Sequence, residues 1–386
     1  MSEPKILQIS TTVIFFCHNS DNYHRFSMTK NPIDDLLINE PQIEAKPLYE
    51  ILNMCSRGYK IFRIIYVAVQ NGLFDILDEP KTSDDIGREL GINAKFACKI
   101  CDALCDLGLL ERIRGAYKNT ELSSLYLKGD SPTSQLSVIE SLNEEFKVWN
   151  RLNKALRGDQ AQIDEELFFE DRVPSLASEM LCGELQRTVR IIADLPEFKR
   201  AKRLLDLGGG HGLYAIAFTK LNRRLRAYVF DLPSVLKHTL RYMEMFKTER
   251  VEVIPGDLFR DDIGSGYDVI FLSYVPGGKN PSLIPKIHSS LKAGGIFINK
   301  QIFYHDGEGS KDPLLDIGWN ITSFKGVMKA DRIYSFKGEV SFEEYVESLK
   351  CYFSIIKVIN SQQFSSFTVS GAECPLDSKM IIAKKH

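Results

Sequence analysis

What this 386-residue chain lacks excludes more than its composition suggests. The apolar run nearest its start, residues 13–17, is far short of the roughly 20 residues a membrane helix needs. Lys and Arg number 49 against 51 Asp and Glu. With a formal charge of −2, no basic field recruits nucleic acid or an anionic membrane. Eight cysteines at irregular positions do not make a disulfide framework, so reduced thiols and a cytoplasmic location are expected. Cys98, Cys101 and Cys105 lie with Leu104 on one helical face; lacking a fourth ligand nearby, they read as a buried stripe and no metal is expected. Gln8, Ser10, Thr11 and Thr12 interrupt the first apolar stretch, and no small-residue cleavage site follows it. Residues 1–27 show no periodicity, and Met28 could equally start the chain. They are expected to form a floppy tail. No internal repeat is present.

Apolar residues make up 44% of the chain, enough to bury a large core in two domains. Apolar positions between residues 47 and 77 fit two helices, the second closed by Gly72. Thr82-Ser83-Asp84-Asp85 starts another helix with a hydroxyl cap and early acids. A helix over 94–107 and a hairpin over 109–119 complete a winged-helix pattern. A DNA reader would need a basic recognition helix, yet Asp102 and Asp106 offset Lys95 and Lys99. The stretch 122–171 is helical, polar and charged, with a joint at Gly158-Asp159-Gln160.

Residues 204–212 read Leu-Leu-Asp-Leu-Gly-Gly-Gly-His-Gly, followed by a helical pattern. This is strand, tight turn, helix, the place where open α/β sheets bind ligands. Gly208, Gly210 and Gly212 let the backbone turn sharply and approach an anionic group at the helix start. A dinucleotide fingerprint would need glycine at position 213, where Leu213 stands. That counts against NAD and FAD. Nineteen residues past Gly212, a second apolar run ends in Asp231, a carboxylate placed to accept both hydroxyls of a ribose. A third run precedes Gly256-Asp257-Leu258-Phe259, which suits an adenine ring. Further runs at 269–272, 296–298, 355–359 and 380–383, with helices over 282–291 and 342–351, predict a doubly wound α/β sheet of seven strands.

The residues Asp206-x-Gly208-x-Gly210-x-Gly212, Phe230-Asp231-Leu232-Pro233, Gly256-Asp257-Leu258-Phe259 and Leu291-Lys292-Ala293-Gly294-Gly295 resemble the S-adenosylmethionine (SAM) motifs of the plant caffeate-type and hydroxyindole O-methyltransferases. The resemblance runs from about Lys60 to the C-terminus. It implies a Rossmann-like SAM-binding domain over 161–386 and a winged-helical dimerisation domain over 28–160, hence a homodimer whose partner subunit helps close the substrate pocket. It puts Asp206 and the glycine loop on the amino-acid moiety of SAM, Asp231 on the ribose, Asp257 and Leu258 on the adenine, and Ser273 at the same cofactor site. Met180 and Trp319 fall where the family lines its acceptor pocket.

The catalytic positions depart from the resembled pattern. The family's fourth strand leads into a segment whose His is the general base, and here Gly277 stands in its place. Gln301 replaces the carboxylate that orients that His, whereas Glu339 still matches a second family acid. His305, after the fifth strand, is the candidate for a relocated base; His211 is expected to pack beside the cofactor. A base contributes roughly 10² to 10⁴ in rate, so its loss favours acceptors that ionise readily or need no deprotonation: thiols, neutral nitrogens, or ionised oxygens. The expected activity is SAM-dependent methyl transfer to an O, S or N acceptor. Two alternatives stand beside it: a SAM-binding protein without methyl transfer, and a winged-helix transcriptional regulator.

Overall fold

A computed structural model describes residues 37, 40–326, 328–365 and 378–386; the tail expected over 1–27 lies outside them. The chain divides into two units, Met1–Lys60 and Ile61–His386. One helix, Lys46–Gln70, replaces the two expected before Gly72. The helix runs unbroken through Gly58, where a Cβ would meet nothing within 4 Å among the described residues. A short 3-10 turn, Phe74–Ile76, follows.

The winged segment forms as its sequence directs. Thr82 and Asp85 cap helix Ser83–Leu90 reciprocally, and Gly91 ends it in the left-handed conformation. Helix Ala94–Asp106 is capped by Asn93. Strands β1 (Leu110–Ile113) and β2 (Ala116–Asn119) pair antiparallel across Arg114 and Gly115, both at positive φ. That is the backbone a two-residue hairpin turn requires. Ile86, Ala97, Cys101, Leu104, Leu110 and Tyr117 form its core. Burial pushes the Cys101 thiol up to about 12, the state of an inert core cysteine. The described residues contain no metal-binding cluster and no helix long and apolar enough to cross a membrane.

A three-residue strand, β3 (Ala161–Ile163), follows the turn at Gly158. The main sheet holds β4 (Arg203–Leu207), β5 (Arg226–Asp231), β6 (Val251–Pro255), β7 (Tyr267–Ser273) and β8 (Leu291–Ile302). After the small β9 (Thr322–Phe324), which pairs parallel with β3, the last two strands are β10 (Phe353–Asn360) and β11 (Ser378–Lys385). Their order is β10-β11-β8-β7-β4-β5-β6. The five strands from β8 to β6 run parallel, whereas β11 is antiparallel to both β8 and β10. All seven expected strands are present. β8 begins at Leu291 because the glycines at 294 and 295 are absorbed by a register shift opposite Tyr267 and Val269; the preceding helix is correspondingly short, Ile284–Ser290.

Apolar side chains cover both faces of the sheet, as a parallel sheet demands. One core sets Leu204, Val229, Phe271 and Ile298 against helices Glu184–Ala193 and Leu213–Leu221. The other sets Leu205, Phe230, Ile270 and Phe297 against helices Ile284–Ser290 and Phe342–Lys350. The strand order reverses between β4 and β7. The topological switch point therefore lies at their C-terminal ends, beside the glycine loop.

Candidate active site

At the end of β4 the chain turns through Gly208, Gly210 and Gly212, whose φ angles are 69°, 54° and 70°. A Cβ at Gly208 would stand 2.5 Å from Val275 Cγ2, so this position is closed by both backbone and space. Gly210 differs. No heavy atom lies within 4 Å of the direction its side chain would take, leaving a bare left-handed backbone open to a ligand.

Two carboxylates flank the loop. Asp231, ending β5, accepts the N–H of Gly210 on Oδ2 and that of Leu232 on Oδ1, each at 2.8 Å. Burial nevertheless raises its pKa to about 6. Asp206 is buried in β4, and burial raises it to about 7, with the Ala215 N–H pulling down and Asp231 pushing up. Its Oδ2 has no hydrogen-bond partner among the described residues, and neither has the buried Ser273 hydroxyl at the end of β7. Such atoms cost about 1–3 kcal/mol each unless something satisfies them. An open glycine cradle bordered by unpartnered acceptors fits a ligand carrying ammonium and hydroxyl donors. At the end of β6, Asp257 Oδ1 accepts the Phe259 N–H at 2.8 Å and so shapes the turn that buries Leu258. His211 is buried as expected; its Nδ1 accepts the Leu213 N–H at 3.1 Å. Burial and then the Lys300 charge lower its pKa to about 4, keeping it neutral.

The chain is similar to known proteins in both sequence and fold. Residues 54–129 match the O-methyltransferase dimerisation domain and residues 172–322 the O-methyltransferase domain. An uncharacterized protein of Methanocaldococcus jannaschii is 36% identical over 91% of this chain and 100% of its own. The chain belongs to the SAM-dependent O-methyltransferase family. Human acetylserotonin O-methyltransferase is 29% identical over 69% of this chain and 83% of its own. A structure of human N-acetylserotonin methyltransferase in complex with SAM aligns with 90% of this chain and 99% of its own, with a TM-score of 0.62 and 22% identity. An O-methyltransferase family protein from Burkholderia thailandensis covers 89% of this chain and 99% of its own, with a TM-score of 0.66 and 18% identity.

This methyltransferase uses SAM as its cofactor. Gly277 has a φ of 75°, and a Cβ there would meet Phe259 Cζ at 2.5 Å. The space a side chain at position 277 would take is filled by an aromatic ring. Gln301 lies buried under the same turn, its amide donating to the Val275 carbonyl at 3.4 Å. Glu339 forms a buried ion pair with Lys279 at 3.0 Å, the side chains 5% and 4% exposed. It also accepts the Phe336 N–H at 3.0 Å, and Lys279 donates to the carbonyls of Ile302 and Tyr334. His305 is part-exposed and joined through Nδ1 to Glu343 Oε1 at 2.6 Å. The structure holds it against helix Phe342–Lys350.

Of the two residues expected to line the acceptor pocket, Met180 touches the helix that follows the glycine loop. The Met180 sulfur receives the Tyr214 hydroxyl at 3.4 Å; Tyr214 lies on the first turn after the glycine loop. Trp319 donates to the Ala330 carbonyl at 3.0 Å and packs its ring 5.9 Å from that of Tyr334. Sequence reasoning missed the cluster behind them. Lys300, in β8, is fully buried and ion-paired with Glu184; it also donates to the Tyr214 hydroxyl at 2.8 Å and stands 4.6 Å over the Tyr274 ring. Burial opposes its charge, but Tyr214 and Glu184 more than offset this and raise its pKa. The available signal was a charged residue amid the apolar residues of β8.

Proposed function

We propose that this protein transfers a methyl group from SAM to a small acceptor without a base at position 277. The observation that carries the reading is the pairing of an intact glycine cradle with a blocked base position. Bound SAM supplies a methyl group already activated by a sulfonium charge. The chain's own residues do the rest: Asp231 and Gly210 orient the cofactor, the N–H groups opening helix Leu213–Leu221 receive its anionic end, and Met180 and Trp319 border the acceptor. Orientation of a good nucleophile in line with the methyl group supplies much of the rate. The acceptor is a sulfur, nitrogen or readily ionised oxygen nucleophile.

We also propose that it acts as a homodimer, in keeping with the matched dimerisation domain. Light scattering of the purified chain tests this; a monomer at micromolar concentration would end it. For the activity, the protein is incubated with methyl-labelled SAM and fractionated extract of its own cells. Label in a small-molecule fraction is the expected result. Binding of SAM without label in any fraction would favour a ligand-binding protein over an enzyme.

A further inference from the structure

Gly210 is the bare residue of the cofactor loop, left-handed at a φ of 54° and with no heavy atom within 4 Å of where a side chain would begin. Glycine gives up more conformational freedom on ordering than any other residue. Something must therefore hold it. Asp231 takes its N–H, with Oδ2 accepting at 2.8 Å. Its carbonyl is taken by a residue that sequence reasoning passed over. Thr239, on helix Pro233–Met245, is fully buried, and its hydroxyl donates to the Gly210 carbonyl at 2.6 Å. The two bonds grip Gly210 on both sides of its Cα, and so restrain φ and ψ together.

Thr239 serves the loop with its other branch as well. A Cβ at Gly212 would stand 2.5 Å from Thr239 Cγ2, so the methyl group fills the space beside that glycine. The direction of the hydroxyl is informative. A threonine inside a helix commonly returns its hydroxyl to a carbonyl one turn back on its own helix. This one reaches a residue 29 positions earlier in the chain. A β-branched residue also loses rotamer freedom in a helix, so helix formation alone gives no reason for threonine here.

We propose that Thr239 is a positioning residue for SAM, whose hydroxyl sets Gly210 in its left-handed conformation before the cofactor arrives. The assignment rests on the reading above that Gly210 orients the cofactor, and extends it to a residue behind the loop. With the hydroxyl present, binding does not have to order the loop. Without it, Gly210 is held on one side only, its carbonyl is free to turn, and the ordering cost falls on the binding step. The effect is confined to one end of the ligand. The glycine loop belongs to the amino-acid moiety, whereas Asp257 and Leu258 belong to the adenine, so a nucleoside without the amino acid is nearly indifferent to Thr239.

The test is calorimetry on wild type, Thr239→Val, Thr239→Ser and Asp231→Ala with two ligands. One is S-adenosylhomocysteine; the other is 5′-methylthioadenosine, which keeps the nucleoside and the sulfur but lacks the amino-acid chain. Thr239→Val keeps the shape and loses the hydroxyl, and Thr239→Ser does the reverse. The expected result is that Thr239→Val weakens S-adenosylhomocysteine roughly three- to tenfold, the scale of one hydrogen bond, and methylthioadenosine by less than about twofold. Thr239→Ser binds both within about twofold of wild type, the opposite of what a packing role predicts. In the ligand-free protein, amide hydrogen exchange in the glycine loop is faster in Thr239→Val than in Thr239→Ser. If Thr239→Val does not fold, Thr239→Ala takes its place in the same comparison. Unchanged affinity for S-adenosylhomocysteine in the variant without the hydroxyl, or equal losses for the two ligands, overturns the assignment alone as long as Asp231→Ala still weakens binding. Asp231→Ala binding S-adenosylhomocysteine as tightly as wild type overturns the seating of the cofactor on Gly210, and this assignment with it.

Discussion

Gly277 and Phe259 exclude a side chain from the same space, because a Cβ on the first would stand 2.5 Å from Cζ of the second. The two residues lie on turns at the C-terminal ends of β7 and β6, the end of the sheet that carries the glycine loop. The glycine at 277 is therefore more than a local feature. It involves backbone, ring and the underlying Gln301 together.

Restoring the family residue alone should fail. Gly277→His forces a side chain into left-handed backbone and against Phe259, costing about 1–3 kcal/mol for the conformation before the clash is counted. Chemical denaturation should show that loss, while Phe259→Ala in the same chain recovers part of it. The coupling is the decisive quantity: additive effects in a double-mutant cycle would mean the ring and position 277 do not compete.

SAM affinity should depend on Asp231 and on its ionisation. Asp231→Ala removes the carboxylate that fixes Gly210 and is placed to accept the ribose, so calorimetry should show a loss of at least about 1.5 kcal/mol. Because burial raises this group to about 6, it ceases to be a full acceptor as pH falls through 6. Wild-type affinity should drop there, and the variant should not follow. A pH-independent difference between the two would retire the assignment.

Glu339 should report on stability rather than on chemistry. Removing Lys279 leaves a buried carboxylate unpaired, and such losses run to about 3–5 kcal/mol. Lys279→Met should destabilise on that scale, and Lys279→Met with Glu339→Leu should recover much of it. Glu339→Gln should lower the melting temperature more than it lowers turnover per folded molecule. A large fall in kcat at unchanged stability would restore Glu339 to the catalytic list.

His211 gives a pH signature of the opposite sign to Asp231. Its folded pKa, about 4, lies below the unfolded value near 6.5. The neutral ring's contribution is therefore complete above pH 6.5 and is lost as pH falls toward 4, on the order of 3 kcal/mol in all. Asp206 and Asp231, raised to about 7 and about 6, shift the total the other way over the same range. The useful measurement is a difference: the stability of wild type over His211→Asn should shrink between pH 6.5 and 4. A constant difference would show that the imidazole does not titrate with folding.

The sheet was legible because its strands are apolar runs with period and spacing of their own, and the cofactor loop because glycine at Gly208 and Gly210 answers a local backbone demand. The absence at Gly277 was equally plain. What fills that absence was not, since Phe259 is 18 residues away in sequence and its strand, β6, lies beyond β4 and β5 from β7 in the sheet, so only the folded turns bring the two residues together. The pairing of Lys279 with Glu339 spans 60 residues, and nothing local in either segment announces it. β3 and β9 escaped notice because three residues carry no periodicity, and the single helix Lys46–Gln70 because a solvent-facing Gly58 looks like a break.

The buried Lys300–Glu184 pair should prove costly to break and dispensable when both members are replaced together. Both side chains are within 4% of full burial, and Lys300 also holds the Tyr214 hydroxyl that reaches Met180. Lys300→Met strands Glu184 in a low-dielectric interior, so unfolding experiments should show a loss of about 3–5 kcal/mol. Lys300→Met with Glu184→Leu removes both charges and their desolvation together, and should return most of that stability. Tyr214 then loses its donor and its hold on Met180, so the paired variant should fold and bind SAM with acceptor KM raised. A paired variant as unstable as Lys300→Met alone would show that packing, rather than charge, is what these side chains contribute.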